Sequence, residues 1–485
     1  MKKLFYNIFI LGGLLLGSCK KNITDLNVNP NLPSTVSSAS LFSNATVNLA
    51  DAMASTNVNT NNFRLFAQYW TETIYRDETR YNLNGRSISD RWWANFYRDV
   101  IKDLTEASKV VSTETLTLSA ATIKNRQAIN DMLMVYSYYT LITSFGDVPY
   151  TDALNIDLLQ PKYDKAADIF TKISATLDAS LTALDESAEG YGSADFILSG
   201  DIAGWKRFGN SLKMRMGMLV ADVDPATAST MVLAAAPNVI ADNSENIKMN
   251  YLSSPPNTNP VWEDLIQSGR HDFVAANTII DIMKPLNDPR IPLYFDQAIT
   301  AGRGYVGQKP GVGATFNDYS APSATLSATQ FPYTFFSYSE MEFLKAEAIE
   351  RGINVGGTAE VHYNNAIDAS IEEWGGTAAQ ALVYRTQPGV KYTTATGTYK
   401  QKIGLQSWLA LYNRGYDAWT QWRRLDYPAL VIPSGAFFSD GETPAVIKRL
   451  TYPVVEQNLN KANYTAAAAA VGGDLKTQKL WFDKF

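Results

Sequence analysis

The stretch SYSEMEFLKAEAIERG, Ser337 to Gly352, shows the pattern that predicts the fold. Ser337 and Glu340 have the spacing of a capping box, and Gly352 is placed to end a helix. The stretch therefore predicts an amphipathic α-helix with a defined start and end. Its apolar residues recur at three- and four-residue steps, as on one helix face: Tyr338, Met341, Leu344, Ala348 and Ile349.

A second helical pattern follows in AEVHYNNAIDASIEEWG, Ala359 to Gly375, so the two stretches predict a helix pair of tetratricopeptide size. No strand-like alternation of convincing length competes with these patterns. The period alone leaves open an ordinary helical globule, but stacked pairs suit a long chain because each pair needs only its neighbours. The fold class predicted is all-α. Similar amphipathic stretches cover residues 88–111, 124–146, 163–187, 201–222 and 402–424.

Between residues 249 and 337 the helical pattern gives way to Pro, Gly, Ser and Asn. Loops without secondary structure rarely exceed about 15 residues in compact domains. We therefore expect this insert to fold as an irregular, loop-rich region packed against the helix pairs, and to have a function.

The N-terminus has the features of an export signal. Lys2 and Lys3 precede the apolar run LFYNIFILGGLLL, and small residues lead to Cys19, the only cysteine. The pattern resembles the bacterial lipobox, whose cysteine becomes a lipid-modified N-terminus that carries palmitate or a similar acyl chain. The prediction is a signal peptide at 1–18, a lipidated tether at 19–37 and a ligand-binding domain at 38–485. The alternative is a buried first helix with an incidental cysteine.

Composition excludes several classes of function. Cleavage before Cys19 leaves 42 − 2 = 40 basic and 48 acidic side chains, a net charge of −8 without a basic tract, so nucleic-acid binding is not expected. Neither His271 nor His362 has metal-ligand spacing, and we predict no metal, cofactor or catalytic residue. GRGYVG, Gly302 to Gly307, matches a dinucleotide motif but lacks the strand and helix that the motif needs.

A family resemblance appears at SFGDVPY, Ser144 to Tyr150, which is followed by QPKYDKAADIF. These stretches resemble the SusD/RagB family of outer-membrane nutrient-binding lipoproteins, and the resemblance covers nearly the whole mature chain. It implies a helical fold of tetratricopeptide-like pairs packed against an irregular region. Further matching stretches, in the family's order, are DLNVNPNLPS, WKRFGNSLKMRM, NDPRIPLYF, SYSEMEFLKAEA, YNNAIDASIEEWG, AWTQWRRLDYP and LTYPVVEQNLN.

Most of the motif residues are predicted to be structural. Arg423 and Arg424 are expected to tie a helix end to a carboxylate or carbonyl group rather than to bind ligand. The motifs therefore identify a family without locating its binding site. One helix face is expected to pack in the core: Trp205, Phe208, Leu212 and Met216.

Candidate ligand contacts are the aromatic and polar residues outside the helices. Sugar rings are bound by aromatic faces together with hydrogen-bonding groups at the ring edge. The alternative for each ring is that it anchors its own loop. One group lies in TIYRDETRYNLNGRS, Thr73 to Ser87, and the other in the insert: Tyr75, Arg76, Asp77, Tyr81 and Asn84, then Trp262, Tyr305 and Tyr319.

The resemblance implies a function without catalysis. A lipoprotein of this family is anchored in the cell outer membrane, faces the exterior, binds an oligosaccharide and delivers it to a SusC-like TonB-dependent transporter. Two alternatives remain, a peptide ligand or, less favoured, a glycan-cleaving surface enzyme. The 48 carboxylates leave a glycosidase pair open, although nothing in the sequence marks any two of them.

Overall fold

The computed structural model of the protein describes residues 36–485. The predicted signal peptide, Cys19 and most of the predicted tether lie outside the described residues. Residues 38–485 form one compact unit. In this described part, no helix has the length and apolar character needed to cross a bilayer.

The described chain folds into α-helices joined by irregular segments. Two π-helical turns, Asn95–Ile101 and Glu263–Gln267, interrupt or extend helices. The all-α prediction is confirmed. In chain order the α-helices are α1 (Ser38–Ala54), α2 (Phe63–Phe66), α3 (Ile88–Ala94), α4 (Lys102–Val111), α5 (Ala120–Phe145), α6 (Ala166–Ala183), α7 (Ile202–Leu219), α8 (Pro225–Ala235), α9 (Pro260–Trp262), α10 (Asn277–Met283), α11 (Ile291–Tyr294), α12 (Tyr338–Glu350), α13 (Ala359–Glu373), α14 (Ala378–Arg385), α15 (Tyr399–Ala410), α16 (Gly415–Leu425), α17 (Val454–Leu459) and α18 (Lys461–Ala470).

Neighbouring helices pack as pairs. α12 packs against α13 as predicted, and the rod formed by α3, the first π-turn and α4 packs against α5. The amphipathic stretch 402–424 forms two helices, with a break between α15 and α16. Gly415 begins α16 where a Cβ atom would lie 2.5 Å from the backbone nitrogen of Arg64, so the break lets α16 approach α2 closely.

The start of α12 corrects one prediction. The Ser337 side chain accepts a hydrogen bond from the backbone nitrogen of Glu340 at 3.3 Å, as an N-cap should. The Glu340 side chain does not complete the capping box, because it turns inward to two arginines. Gly352 follows the helix with φ 81°, which confirms it as the stop.

The main hydrophobic core lies between the helices and is rich in aromatic rings. The face of α7 that was predicted to be buried is buried, since Trp205, Phe208, Leu212 and Met216 are all 0 % exposed. A smaller cluster joins α12, α13 and α14 around Phe343, Tyr363 and Tyr384.

Two short antiparallel sheets fix the irregular insert. Strand β1 (Trp70–Glu72) pairs with β3 (Phe273–Ala275), with Trp70 opposite Ala275 and Glu72 opposite Phe273. Strand β2 (Ile247–Met249) pairs with β4 (Tyr333–Phe336). The insert is therefore held at both ends by β2 and β4 and in its middle by β3, which confirms that it folds.

Buried ion pairs connect α7, α12 and α16. Glu340 on α12 accepts hydrogen bonds from Arg215 Nε at 2.7 Å and from Arg414 Nη2 at 2.6 Å. Asp417 lies 2.7 Å from Arg414 Nη2 and 3.3 Å from Arg215 Nη1. These side chains are 5 to 9 % exposed. Although burial alone would raise the pKa of Glu340, Arg215 and Arg414 outweigh burial and lower it.

The predicted roles of two motif arginines are confirmed. Arg424 donates to both carboxylate oxygens of Glu347 at 2.6 Å. Arg423 donates to the carbonyl oxygens of Thr143 and Lys448. Both arginines therefore tie α16 to neighbouring segments.

Replacing Glu340 by alanine should destabilise the protein by about 3–5 kcal/mol, because two buried guanidinium groups would lose a shared carboxylate. Chemical denaturation measures the change. The exposed Glu372→Ala serves as the control and should change stability by less than about 0.5 kcal/mol.

The pH dependence provides a second measurement of the same network. The folded pKa of Glu340 lies below its ordinary value, so its contribution is present above that value and is lost as pH falls through the folded pKa. The Glu340→Ala protein should therefore lose less stability than the parent on acidification. Equal acid sensitivity would contradict this role.

Candidate functional site

The first candidate segment begins where β1 ends. Thr73 donates its backbone N–H to the carbonyl oxygen of Asp272 at 2.8 Å, and its own carbonyl accepts from Ala314 N at 3.1 Å. The segment Thr73–Ser87 is thus joined to the insert on two sides. The structure therefore joins the first candidate segment to the part of the insert that carries Tyr305 and Tyr319.

Arg80 fastens this segment to two other loops. Its Nε and Nη2 donate to the carbonyl oxygen of Gly311 at 3.0 and 2.8 Å, and Nε also donates to that of Ser434 at 3.1 Å. The Arg80 carbonyl accepts from Phe437 N at 2.8 Å. Gly311 has φ 80°, and a Cβ atom there would lie 2.3 Å from the Ser434 oxygen, so only glycine fits this junction.

The five candidates of the first segment differ in exposure. Tyr75 is 68 % exposed, with φ 50° in the left-handed region. Asp77 and Asn84 are exposed, whereas Arg76 is half-buried. Tyr81 is 1 % exposed and packs edge-on to Phe66 with ring centroids 5.9 Å apart. Among these candidates Tyr75 presents a free ring face, and Tyr81 belongs to the core.

The three candidates of the insert are all half-buried. The ring of Tyr319 lies under the Arg303 guanidinium at 5.5 Å, and Tyr305 packs against the main core. Trp262 ends the short helix α9, which Asn259 caps through a hydrogen bond to Val261 N. Tyr305 and Tyr319 lie on the segment that forms hydrogen bonds with β3. Trp262 lies on a different segment, before β3 in the chain.

Three residues missed by sequence reasoning lie in the same region. Ile74, beside Tyr75, is 49 % exposed. Exposed His271 packs its ring 5.4 Å from that of Phe316. His271 was considered only as a metal ligand, and Phe316 stands three residues before Tyr319 in the stretch FNDYS, residues 316–320. Hydrogen bonds of Thr73 with Asp272 and Ala314 join the segments that carry His271 and Phe316 to the Tyr75 loop, and a sequence does not reveal those contacts.

One small cavity borders the first candidate segment, and a second lies elsewhere, beside β2, β4 and α13. One of about 100 Å³ is lined by Tyr81, Asn84 and the segment Phe437–Ser439. The other, of about 140 Å³, has walls of Phe331 and the half-buried Trp374, with an ion pair between Lys248 and Glu373 at its edge. The ring of Trp374 packs against that of Tyr294, with ring centroids 4.6 Å apart.

Two carboxylates lie beneath the Tyr75 loop. Glu72 and Glu78 have side chains that are 0 % exposed, so they do not reach a ligand on the surface. Burial and the Glu78 charge raise the pKa of Glu72 well above its ordinary value. Within residues 36–485, no group of three His, Cys, Asp or Glu side chains is arranged to hold a metal ion.

Comparison with protein families gives one match over most of the chain. The SusD-like family described as "Starch-binding associating with outer membrane" matches residues 30–453. A comparison with curated proteins finds no match.

Solved structures of similar fold agree with that match. A structure titled "chitin-binding protein" is 28 % identical, with a TM-score of 0.76, covering 92 % of this chain and 100 % of its own. A chitin-binding SusD homologue from Flavobacterium johnsoniae is 23 % identical, with a TM-score of 0.78 over 92 % of this chain and 98 % of its own. A SusD homologue from Bacteroides uniformis is 24 % identical, with a TM-score of 0.76 over 92 % and 99 %.

Replacing Arg80 by alanine should loosen the candidate site, because three hydrogen bonds from a charged donor would be lost. We expect a local loss of about 1–3 kcal/mol. Hydrogen exchange read by mass spectrometry should be faster in Thr73–Ser87 and in 310–314, with little change in the helices. The control is Arg91→Ala on the exposed face of α3, which should leave both segments unchanged. Unchanged exchange in the Arg80 variant would show that the loops are held by other contacts.

Proposed function

Because the chain belongs to the SusD-like family of starch-binding proteins that associate with the outer membrane, we propose that it is a lipid-anchored receptor for an oligosaccharide nutrient. It binds the ligand without cleaving it. It then delivers the ligand to a SusC-like TonB-dependent transporter in the same membrane.

The exposed ring of Tyr75 is the observation that supports a binding site at this place. It stands on a loop that is fixed to β3, to Ala314 and, through Arg80, to Gly311. A stacking ring on a fixed loop binds with little loss of conformational freedom. The same segment carries polar side chains for the hydroxyl groups of a sugar, from Arg76, Asp77 and Asn84.

The ligand class proposed is a polymer of hexose-type sugars. The family description names starch, and the titles of two similar structures name chitin. Both polymers present pyranose rings with an apolar face, which suits an aromatic platform. Oligosaccharides of chitin and of starch are therefore the first probes.

Two alternative functions lead to different results with the same probes. A peptide receptor would bind extended peptides and neither oligosaccharide. A glycan-cleaving enzyme would release new reducing ends during incubation. The buried position of Glu72 and Glu78 argues against these two residues as its acid and base.

Replacing Tyr75 by alanine should weaken oligosaccharide binding about tenfold to a hundredfold, because one stacking ring contributes on the order of 1–3 kcal/mol. Isothermal calorimetry with chitin and starch oligosaccharides measures the change. The fold should persist, because the Tyr75 ring is mainly solvent-exposed.

The control is Phe196→Ala, which removes an aromatic ring that is 42 % exposed on another loop and should bind like the parent. Tyr81→Ala should instead lower stability, by about 3–5 kcal/mol if it resembles other aromatic core truncations. If Tyr75→Ala binds both probes as tightly as the parent, the site lies elsewhere, with the Trp374 cavity as the next candidate.

Replacing Cys19 by alanine should abolish lipid labelling and release the protein from the membrane fraction. The reason is that no other thiol exists to accept a lipid, and stable anchoring needs acyl chains. Radiolabelled palmitate and membrane sedimentation provide the measurements. Ser18→Ala keeps a small residue before the cysteine and should be processed normally. Continued labelling of the Cys19 variant would exclude this anchor.

A further inference from the structure

The loop that carries Tyr75 lies between two buried glutamates, Glu72 before it and Glu78 after it. Glu72 Oε2 accepts hydrogen bonds from Thr79 N at 3.0 Å and from Thr79 Oγ1 at 2.9 Å. Its second oxygen, Oε1, accepts no hydrogen bond, and neither does Glu78 Oε2. The two side chains interact at this buried position, between Arg270 beside Glu72 and Arg86 beside Glu78. One proton between them would satisfy a buried oxygen on each side.

The charges around this pair do not balance when every carboxylate is ionised. Arg270, on the segment before β3, lies 3.6 Å from Glu72 Oε1 and is bound at 2.6 Å to buried Asp272. Arg86 forms an ion pair with Glu78 Oε1. Three carboxylates thus face two guanidinium groups, which leaves one negative charge without a partner at a buried position. Such a site favours the uptake of one proton.

We propose that Glu72 and Glu78 share one proton that holds the loop Thr73–Asp77 in the conformation that presents Tyr75. Glu72 donates its O–H to Glu78, and the pair carries one negative charge. When the proton leaves to solvent, two buried carboxylates repel each other across the base of the loop. The loop then becomes mobile and ligand affinity falls. Only this last step rests on the proposed function.

The direction of the pH effect follows from the raised pKa of Glu72, which burial and the charge of Glu78 cause. Its stabilising contribution is complete below the ordinary value for a glutamate. It is lost as pH rises through the folded pKa. The loop is therefore ordered at acidic pH and loosens as pH increases, and coupling to one proton limits the loss of affinity to about tenfold per pH unit.

Other titratable groups near the loop must be separated from this pair. His271 lies between Arg270 and Asp272 on the same segment and is exposed. Asp77 is exposed on the loop itself. Neither side chain forms a hydrogen bond or ion pair with Glu72 or Glu78. Replacing His271 is therefore a matched control for a change at a neighbouring side chain outside the pair.

A spin label tests the loop without any ligand. The mature chain with Cys19→Ala has no thiol, so Ile74→Cys creates a single labelling site that is 49 % exposed in the parent. A nitroxide at this site reports loop mobility from about pH 5 to about pH 9. The parent should pass from a restricted to a mobile spectrum in one single-proton transition. With Glu72→Gln, whose amide donates to Glu78 at every pH, the spectrum should stay restricted.

Further variants separate the possible outcomes. His271→Gln should keep the parent transition, and Glu78→Gln should abolish it, with folding of each variant verified by circular dichroism. A transition that persists in both glutamine variants, or a parent spectrum that does not change with pH, would overturn the proposal. Binding of chitin and starch oligosaccharides is then measured across the same range. If neither oligosaccharide binds at any pH, the proposed function fails. The spin-label result still decides whether a proton shared by Glu72 and Glu78 holds the loop.

Discussion

The fold depends on burying guanidinium groups together with the carboxylates that neutralise them. Arg215, Arg414 and Glu340 come from separate segments, and none of their side chains is more than 9 % exposed. A buried charge without its partner costs several kcal/mol, so each of these residues requires the others in place. Apolar packing alone would tolerate small displacements of α7 against α12. A bidentate guanidinium contact does not, because its hydrogen bonds require defined geometry.

Buried arginine–carboxylate pairs also join other parts of the fold. Arg290 and Asp288, both fully buried, form a bidentate pair that also reaches Ser370 on α13. Arg449 donates to the carbonyl oxygen of Phe145 at the end of α5 and pairs with Asp474. Since these contacts fix the helices, the segments between them need no regular structure of their own. The Tyr75 loop is therefore attached to a frame that does not depend on it, and the insert contributes Asp288 and Arg290 to that frame.

The helices and their buried faces could be predicted because both depend on local periodicity. The period identified the face of α7, the stop at Gly352 and the α12–α13 pair, and the composition of α16 indicated arginine ties. Contacts between distant segments were not predictable. Glu340 looked like half of a capping box because its partners, Arg215 and Arg414, are more than 70 residues away. Tyr75 and Tyr81 stand six residues apart in one polar loop, and the sequence does not distinguish the exposed ring from the buried one.

The residues that carry the family resemblance stabilise the fold, whereas the proposed site is formed by other residues. Family membership therefore does not identify the ligand. The stretches that carry the family resemblance supply Trp205, Arg290, Arg423 and Arg424, all of which pack or form hydrogen bonds within the protein. Tyr75 and His271 lie outside those stretches, and both are exposed. Substitution at such positions would change the proposed binding surface at little cost in stability, because exposed side chains away from buried networks contribute little to folding. The arginine network of this chain therefore does not determine which side chains the proposed site presents to a ligand.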